Sequence, residues 1–260
     1  MALTYSSYLK VEELLGLQQP VSDPPEHDET LFIIVHQTYE LWFKQLLHEF
    51  DRVGEHFVED RLFEAIHTFK RCRMIMKTLV AQLDILETMT PMSFLTFRDR
   101  LDQASGFQSM QFRQLEFLLG YKREGLLDHV PAGMFGRDRA ERRYREPSVV
   151  DHFYTFLDGR GVAIPPAVRS GPPTAATRPN EQIQDALVRL FTTDPSMAIL
   201  FELMTDFDEG LQEWRYRHVK MVERTIGNRQ GTGGSMGVEF LKRSLFTPVF
   251  PDLWAIRHRL

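Results

Sequence analysis

Phe207-Asp208-Glu209-Gly210-Leu211-Gln212-Glu213-Trp214-Arg215-Tyr216-Arg217-His218-Val219-Lys220-Met221-Val222 sets Phe207, Leu211, Trp214, His218, Met221 and Val222 at three- and four-residue steps. That spacing places them on one side of a helix turning every 3.6 residues, with His218 inside the apolar stripe. Asp194-Pro195 upstream joins an N-cap to a proline at the first helical position, and Gly227 downstream is a C-cap. One helix from Asp194 to Ile226 is expected. Convincing strict alternation is absent from the chain, so the pattern predicts an all-α fold.

Working outward from this helix, Tyr5 to Leu17 reads as a short helix or arm after the Thr4 cap, ended by Gln18-Gln19-Pro20. A long helix from about Asp28 to Val53 has acidic residues in its first turn, where they complement the helix dipole. Arg61 to Thr88 forms another, with Leu62, Ile66, Phe69, Met76, Leu79 and Leu83 on its apolar side. Thr90-Pro91 stops it, because proline disfavours a helical residue before it. Shorter helices are expected over Met92 to Leu101, Ser109 to Lys122, Val149 to Leu157 and Glu181 to Phe191. Between Asp128 and Arg145, glycine, proline and charge suggest a loop or a frayed surface helix. Ile164 to Pro179 lacks packable periodicity and reads as an exposed connector. The sum is a single large domain of long packed helices with a small helical insertion at about 128–180.

At 260 residues with a formal net charge of -5, the chain can bury a sizeable core and shows no basic excess for nucleic acid. Cys72 is the single cysteine, which excludes an internal disulfide framework and cysteine-based metal clusters and suits a reducing cytoplasm. Met1-Ala2-Leu3-Thr4-Tyr5 lacks the features of a secretory signal, and no segment stays apolar long enough to span a bilayer, so a cytoplasmic protein without a membrane partner is expected.

His218 as a neutral imidazole on a packed helix could ligate a haem iron, although on spacing alone a hydrogen-bonded core histidine is the ordinary reading. The glycine-rich turn Gly231-Thr232-Gly233-Gly234-Ser235-Met236-Gly237 could close over a small polar group. It follows a helix and lacks the ending of a phosphate-binding loop, so a nucleotide is rejected. His27 to Gln45 puts Phe32 and His36 on one helical face with Phe43 two turns on. Ser105-Gly106-Phe107-Gln108-Ser109-Met110-Gln111-Phe112-Arg113 carries Ser109 and Arg113 one turn apart. Glu64-Ala65-Ile66-His67 has the spacing of a di-iron bundle but occurs once, where two copies are needed. His27, Asp28 and Glu29 at a helix start are explained by capping and dipole effects.

With those three motifs in order, the chain resembles the tryptophan 2,3-dioxygenase family, from Leu3-Thr4-Tyr5 to Phe250-Pro251-Asp252-Leu253-Trp254 and least between about Lys122 and Thr193. The resemblance implies helices enclosing a non-covalent haem b, ferrous when active, with His218 as the axial iron ligand. It implies O2 as co-substrate and L-tryptophan or a close indole analogue as substrate, opened across the indole C2–C3 bond to N-formylkynurenine. His36 would meet the indole nitrogen and serve catalysis by orientation, Phe32 would face the ring, and Arg113 would clamp the carboxylate. Ser109 would line the pocket and Thr232 would touch the ammonium and carboxylate end. The family's arm, residues 1–20 with Tyr5 and Tyr8, would roof a neighbour's active site in a homotetramer built as a dimer of dimers, leaving 21–260 as the catalytic domain. Two alternatives stay open at this point: a haem monooxygenase of a substituted tryptophan, distinguished by product mass, and a non-enzymatic haem or amino-acid sensor, distinguished by absence of turnover.

Overall fold

The computed structural model describes residues 2–128, 130–227, 229, 231 and 237–260. Helices account for the regular structure among them, and no strand occurs there. In chain order they are α1 (Tyr5–Leu9), α2 (Val11–Leu15), α3 (His27–Val58), α4 (Leu62–Leu86), α5 (Pro91–Arg98), α6 (Met110–Leu118) and α7 (Arg137–Arg145). Then follow α8 (Val149–Gly159), α9 (Pro166–Arg169), α10 (Glu181–Thr193), α11 (Pro195–Ile226), α12 (Val238–Lys242) and α13 (Pro251–Ala255).

The caps fall where the side-chain chemistry places them. Asp194 accepts from the amides of Ser196 and Met197, at 2.9 and 3.2 Å, and opens α11. Gly227, at φ 61°, closes it in a conformation that a side chain would strain. Thr90 caps α5 through Ser93 N, with Pro91 at the first helical position.

The core is built on α3, α4 and α11, with α4 packed against both of the others. Phe50 of α3 lies 5.7 Å from Phe69 of α4 and 4.9 Å from Phe207 of α11, ring centre to ring centre, and all three are fully buried. Burial of each such ring stabilises the fold by about 1.5–3 kcal/mol. A Cβ on Gly210 would lie 2.9 Å from Met76 Cγ, so the missing side chain lets α11 approach α4 closely. Arg217 then ties the helix end carrying His218 to α4, reaching Asp84 at 2.6 Å and Glu87 at 3.2 Å.

The middle of the chain keeps the helix expected over Val149 to Leu157, observed as Val149–Gly159, and departs from its sequence reading chiefly in the connector. Arg137 to Arg145 is a helix, α7, and Ala140 on it is buried against Met110 and Phe117 of α6. Val149, Val150, Phe153, Phe156 and Leu157 of α8 join the main core, with Phe153 and Phe156 on Phe57 of α3. The stretch 164–179 is not a wholly exposed connector. Ile164 is buried, Thr177 N donates to Gly120 O at 3.1 Å, and Lys122 Nζ donates to Pro173 O at 2.6 Å. Sequence periodicity is blind to such anchoring, because single backbone carbonyls receive the bonds.

Candidate active site

Phe32 and His36 share one face of α3, their ring centres 4.0 Å apart. The His36 Nδ1 lies 2.7 Å from the Phe32 carbonyl oxygen, which can only accept, so Nδ1 carries the proton. In the neutral ring Nε2 is therefore the accepting nitrogen. Burial holds His36 below the ordinary histidine range, against the opposing pull of the Phe32 carbonyl and Glu40. Yet the residue keeps exposed surface.

The second histidine is His218 on α11, stacked on Trp214 with ring planes 8° apart and centres 5.2 Å apart. Burial first, and then the nearby His36 and Arg113, pull its pKa down to about 4. Two neutral imidazoles thus share one site. Trp214 also meets Phe43 and Phe112, fastening the His218 segment to α3 and α6. Behind His36, Phe32 packs on Phe94 and Phe97 of α5 at 5.8 and 5.6 Å, and the half-buried Arg98 follows on the same helix.

Ser109 caps α6, accepting from Phe112 N at 3.2 Å and donating to Glu40 Oε1 at 2.5 Å. Gln111 donates to the Glu40 backbone oxygen and to its Oε2, both at 2.8 Å. Glu40 was not anticipated, although its four-residue spacing from His36 is visible in the sequence. Arg113 is buried, pairs through Nη1 with Glu116 Oε2, and lies over the rings of Phe107 and Phe112. Its Nε has no hydrogen-bond partner among the described residues. The structure therefore brings Phe32, His36, Arg113 and His218 into one neighbourhood, with Ser109 adjoining it through Glu40.

Tyr5 and Tyr8 stand apart from that site on the arm, and both are largely exposed. The arm's end is held to α3 through Gln37, whose Nε2 donates to Leu17 O at 3.1 Å. Thr232 lies outside the described residues. No group of three histidine, cysteine or acidic side chains that could hold a metal occurs among the described residues. Glu29 instead accepts from the amides of Val21 and Ser22, at 2.7 and 3.1 Å.

Fold and site define a protein that is helical throughout its described residues, with a pair of neutral histidines set among aromatic rings. A family model described as tryptophan 2,3-dioxygenase matches residues 1–131 and 181–260, passing over much of the middle region. A tryptophan 2,3-dioxygenase of Herpetosiphon aurantiacus is 52% identical over 256 residues, covering 98% of each chain. One of Anaeromyxobacter sp. (strain K) is 49% identical across 100% of this chain and 97% of its own, and one of Rhodococcus jostii is 41% identical across 98% and 91%. The chain belongs to the tryptophan 2,3-dioxygenase family.

Proposed function

We propose that this protein is a haem-dependent dioxygenase that opens the indole ring of L-tryptophan with O2 to give N-formyl-L-kynurenine, the first step of tryptophan breakdown through kynurenine. The observation that carries the reading is the neutral histidine pair, His36 with a free accepting nitrogen and His218 fixed on a packed helix. The residues fit a haem. His218 offers a neutral imidazole with one lone-pair nitrogen for the iron, Trp214 stacks on its ring, and the buried Nε of nearby Arg113 has no acceptor among the described residues. When bound, haem supplies the redox chemistry with O2.

The chain's own residues bind and orient. Phe32 gives the indole an aromatic wall, and His36 Nε2 accepts the indole N–H. Nδ1 stays anchored to the Phe32 carbonyl, so the ring cannot turn its donor toward the substrate without losing that bond. His36 acts by positioning, and proximity is its contribution.

The substrate carboxylate falls to one of two arginines. Family resemblance assigns it to Arg113, whose buried charge already meets Glu116. Arg98 follows Phe97, which packs on Phe32, and so adjoins the aromatic subsite. Removing the clamp should raise KM for tryptophan by ten-fold or more, as loss of one partner of a buried charged pair costs roughly 2–5 kcal/mol. Arg98→Ala and Arg113→Ala measured side by side assign it, and an unchanged KM in Arg113→Ala removes Arg113 from the role.

The exposed Tyr5 and Tyr8 support the arm as a segment that docks on a neighbouring subunit of a homotetramer. Thr232 belongs to the substrate's amino-acid end by resemblance. Among the described residues no helix is long and apolar enough to cross a membrane, consistent with a cytoplasmic enzyme. The direct test of the cofactor assignment is haemin titration of His218→Ala. Loss of the ferrous spectrum of the wild type is expected, and an unchanged spectrum contradicts the assignment.

A further inference from the structure

Arg113 is one member of a larger buried charge cluster. Glu116, on α6 beside it, binds Arg113 Nη1 through Oε2 and faces Arg215 Nη2 of α11 with Oε1 at 4.0 Å. All three side chains are at least nine-tenths buried. Arg215 and Arg123 both lie over the Tyr121 ring, each 5.0 Å from its centre, and Arg123 also covers Phe240. Arg215 Nη1 donates to Thr247 O at 2.9 Å. The Nε groups of Arg113, Arg123 and Arg215 are all buried with no acceptor among the described residues.

The charge balance is incomplete as well. Two guanidinium groups, those of Arg113 and Arg215, meet Glu116, Arg123 lies near Arg113, and the Asp208 carboxylate, on which Arg215 also acts, already accepts from Val249 N, Phe250 N and Trp254 Nε1. Buried positive charge with unfilled donors is costly unless an anion completes it. Arg113 stands near enough to His218 to act on it electrostatically, so the cluster adjoins the candidate site.

We propose that Glu116 is a positioning residue of the site, one carboxylate that joins Arg113 of α6 to Arg215 of α11 and sets their guanidinium groups to receive a ligand carboxylate. The proposal rests on the reading of the site as a haem and tryptophan pocket. The shared chemistry is a carboxylate, borne by the porphyrin or by the amino acid. Glu116 itself touches neither. Removing its charge makes the cluster more positive, so simple attraction would strengthen anion binding. A positioning role requires the opposite, because the two planar forks lose their common anchor.

The test compares Glu116→Gln with wild type in the full chain. Haemin and its dimethyl ester are titrated into the apoprotein, and tryptophan and tryptamine are then compared in the loaded enzyme. If the cluster receives the porphyrin carboxylates, Glu116→Gln lowers the preference for haemin over its ester by about ten-fold. If it receives the amino-acid carboxylate, the preference for tryptophan over tryptamine falls by that factor instead. Each loss supports the proposal and names the source, whereas a merely structural role weakens both members of a pair equally and overturns it. Glu116→Asp, which keeps the charge, should recover part of the discrimination. Should Glu116→Gln fail to fold, Arg215→Lys carries the test, because it keeps the charge and removes the fork. A wild-type preference that survives in Arg215→Lys overturns the role of Glu116. Wild-type protein with no preference in either pair overturns the reading of the pocket itself.

Discussion

His36 illustrates what single residues decide in this site. Its sequence position places it one turn from Phe32, yet its hydrogen-bonding sense comes from the Phe32 carbonyl at 2.7 Å, which leaves Nε2 to accept. Methylating the indole nitrogen should therefore lower kcat/KM about ten-fold in the wild type, the worth of a buried hydrogen bond of about 1.5 kcal/mol. The same methylation should change His36→Ala by less than two-fold, and an equal loss in both proteins would remove the indole contact from His36. Cys72 makes a contrasting case. Fully buried on α4, its thiol is pushed up by burial with Glu49 adding to the effect. A thiol reagent should leave it untouched in the native protein and label it only on unfolding, and rapid native labelling would show that α4 opens locally.

At the scale of elements, the helix that carries His218 is held by partners far away in the chain. Asp208, on its buried side, accepts from Val249 N, Phe250 N and Trp254 Nε1 at 2.9, 3.0 and 3.0 Å, latching the segment before α13 onto α11. Asp208→Ala leaves two amides and an indole N–H without their charged acceptor and should destabilise the protein by about 3 kcal/mol. A lower urea midpoint at unchanged slope is the expected result; an unchanged midpoint would show that the latch contributes nothing.

The periodicity of α3, α4 and α11 was legible because each carries a long one-sided apolar stripe, and the Asp194-Pro195 and Gly227 signals set the ends of α11. The middle region was read less well. Its helix α8 was expected over Val149 to Leu157 and runs Val149–Gly159, but α7 lies in a stretch read as a loop or a frayed surface helix, and its connector is anchored by Lys122 and Thr177 through backbone oxygens that no side-chain pattern reveals. Of the site, His218, His36, Phe32 and Arg113 could be named from motifs. Arg215 and Phe97 reach the same neighbourhood only through packing, and the shared carboxylate Glu116 acquires meaning only when α6 meets α11.

At the scale of the whole molecule, burial couples stability to pH. Burial first, and then Arg52 and Arg61, hold the buried His56 below its ordinary range, and burial does the same to His152. Below the ordinary value of 6.5 the unfolded chain takes up protons that these native histidines refuse, so stability falls as pH drops through and below that value. The urea midpoint should be lower at pH 5.5 than at pH 7.5, and a His56→Gln/His152→Gln variant should show a smaller drop; an equal drop assigns the acid sensitivity to other groups. The exposed Tyr5, Tyr8 and Leu15 of the arm carry the assembly claim. Deleting residues 2–17 should reduce both the mass in solution and turnover per haem, and a fully active monomer would contradict the shared-arm reading.

The central claim, that this helical pocket directs both atoms of O2 into tryptophan, is tested most directly by turnover of the haem-loaded, reduced protein under isotopically labelled O2 with the product weighed. Gain of two labelled oxygen atoms is the predicted result. Gain of one would make the enzyme a monooxygenase, and a haem spectrum without turnover would leave a binding protein in place of a catalyst.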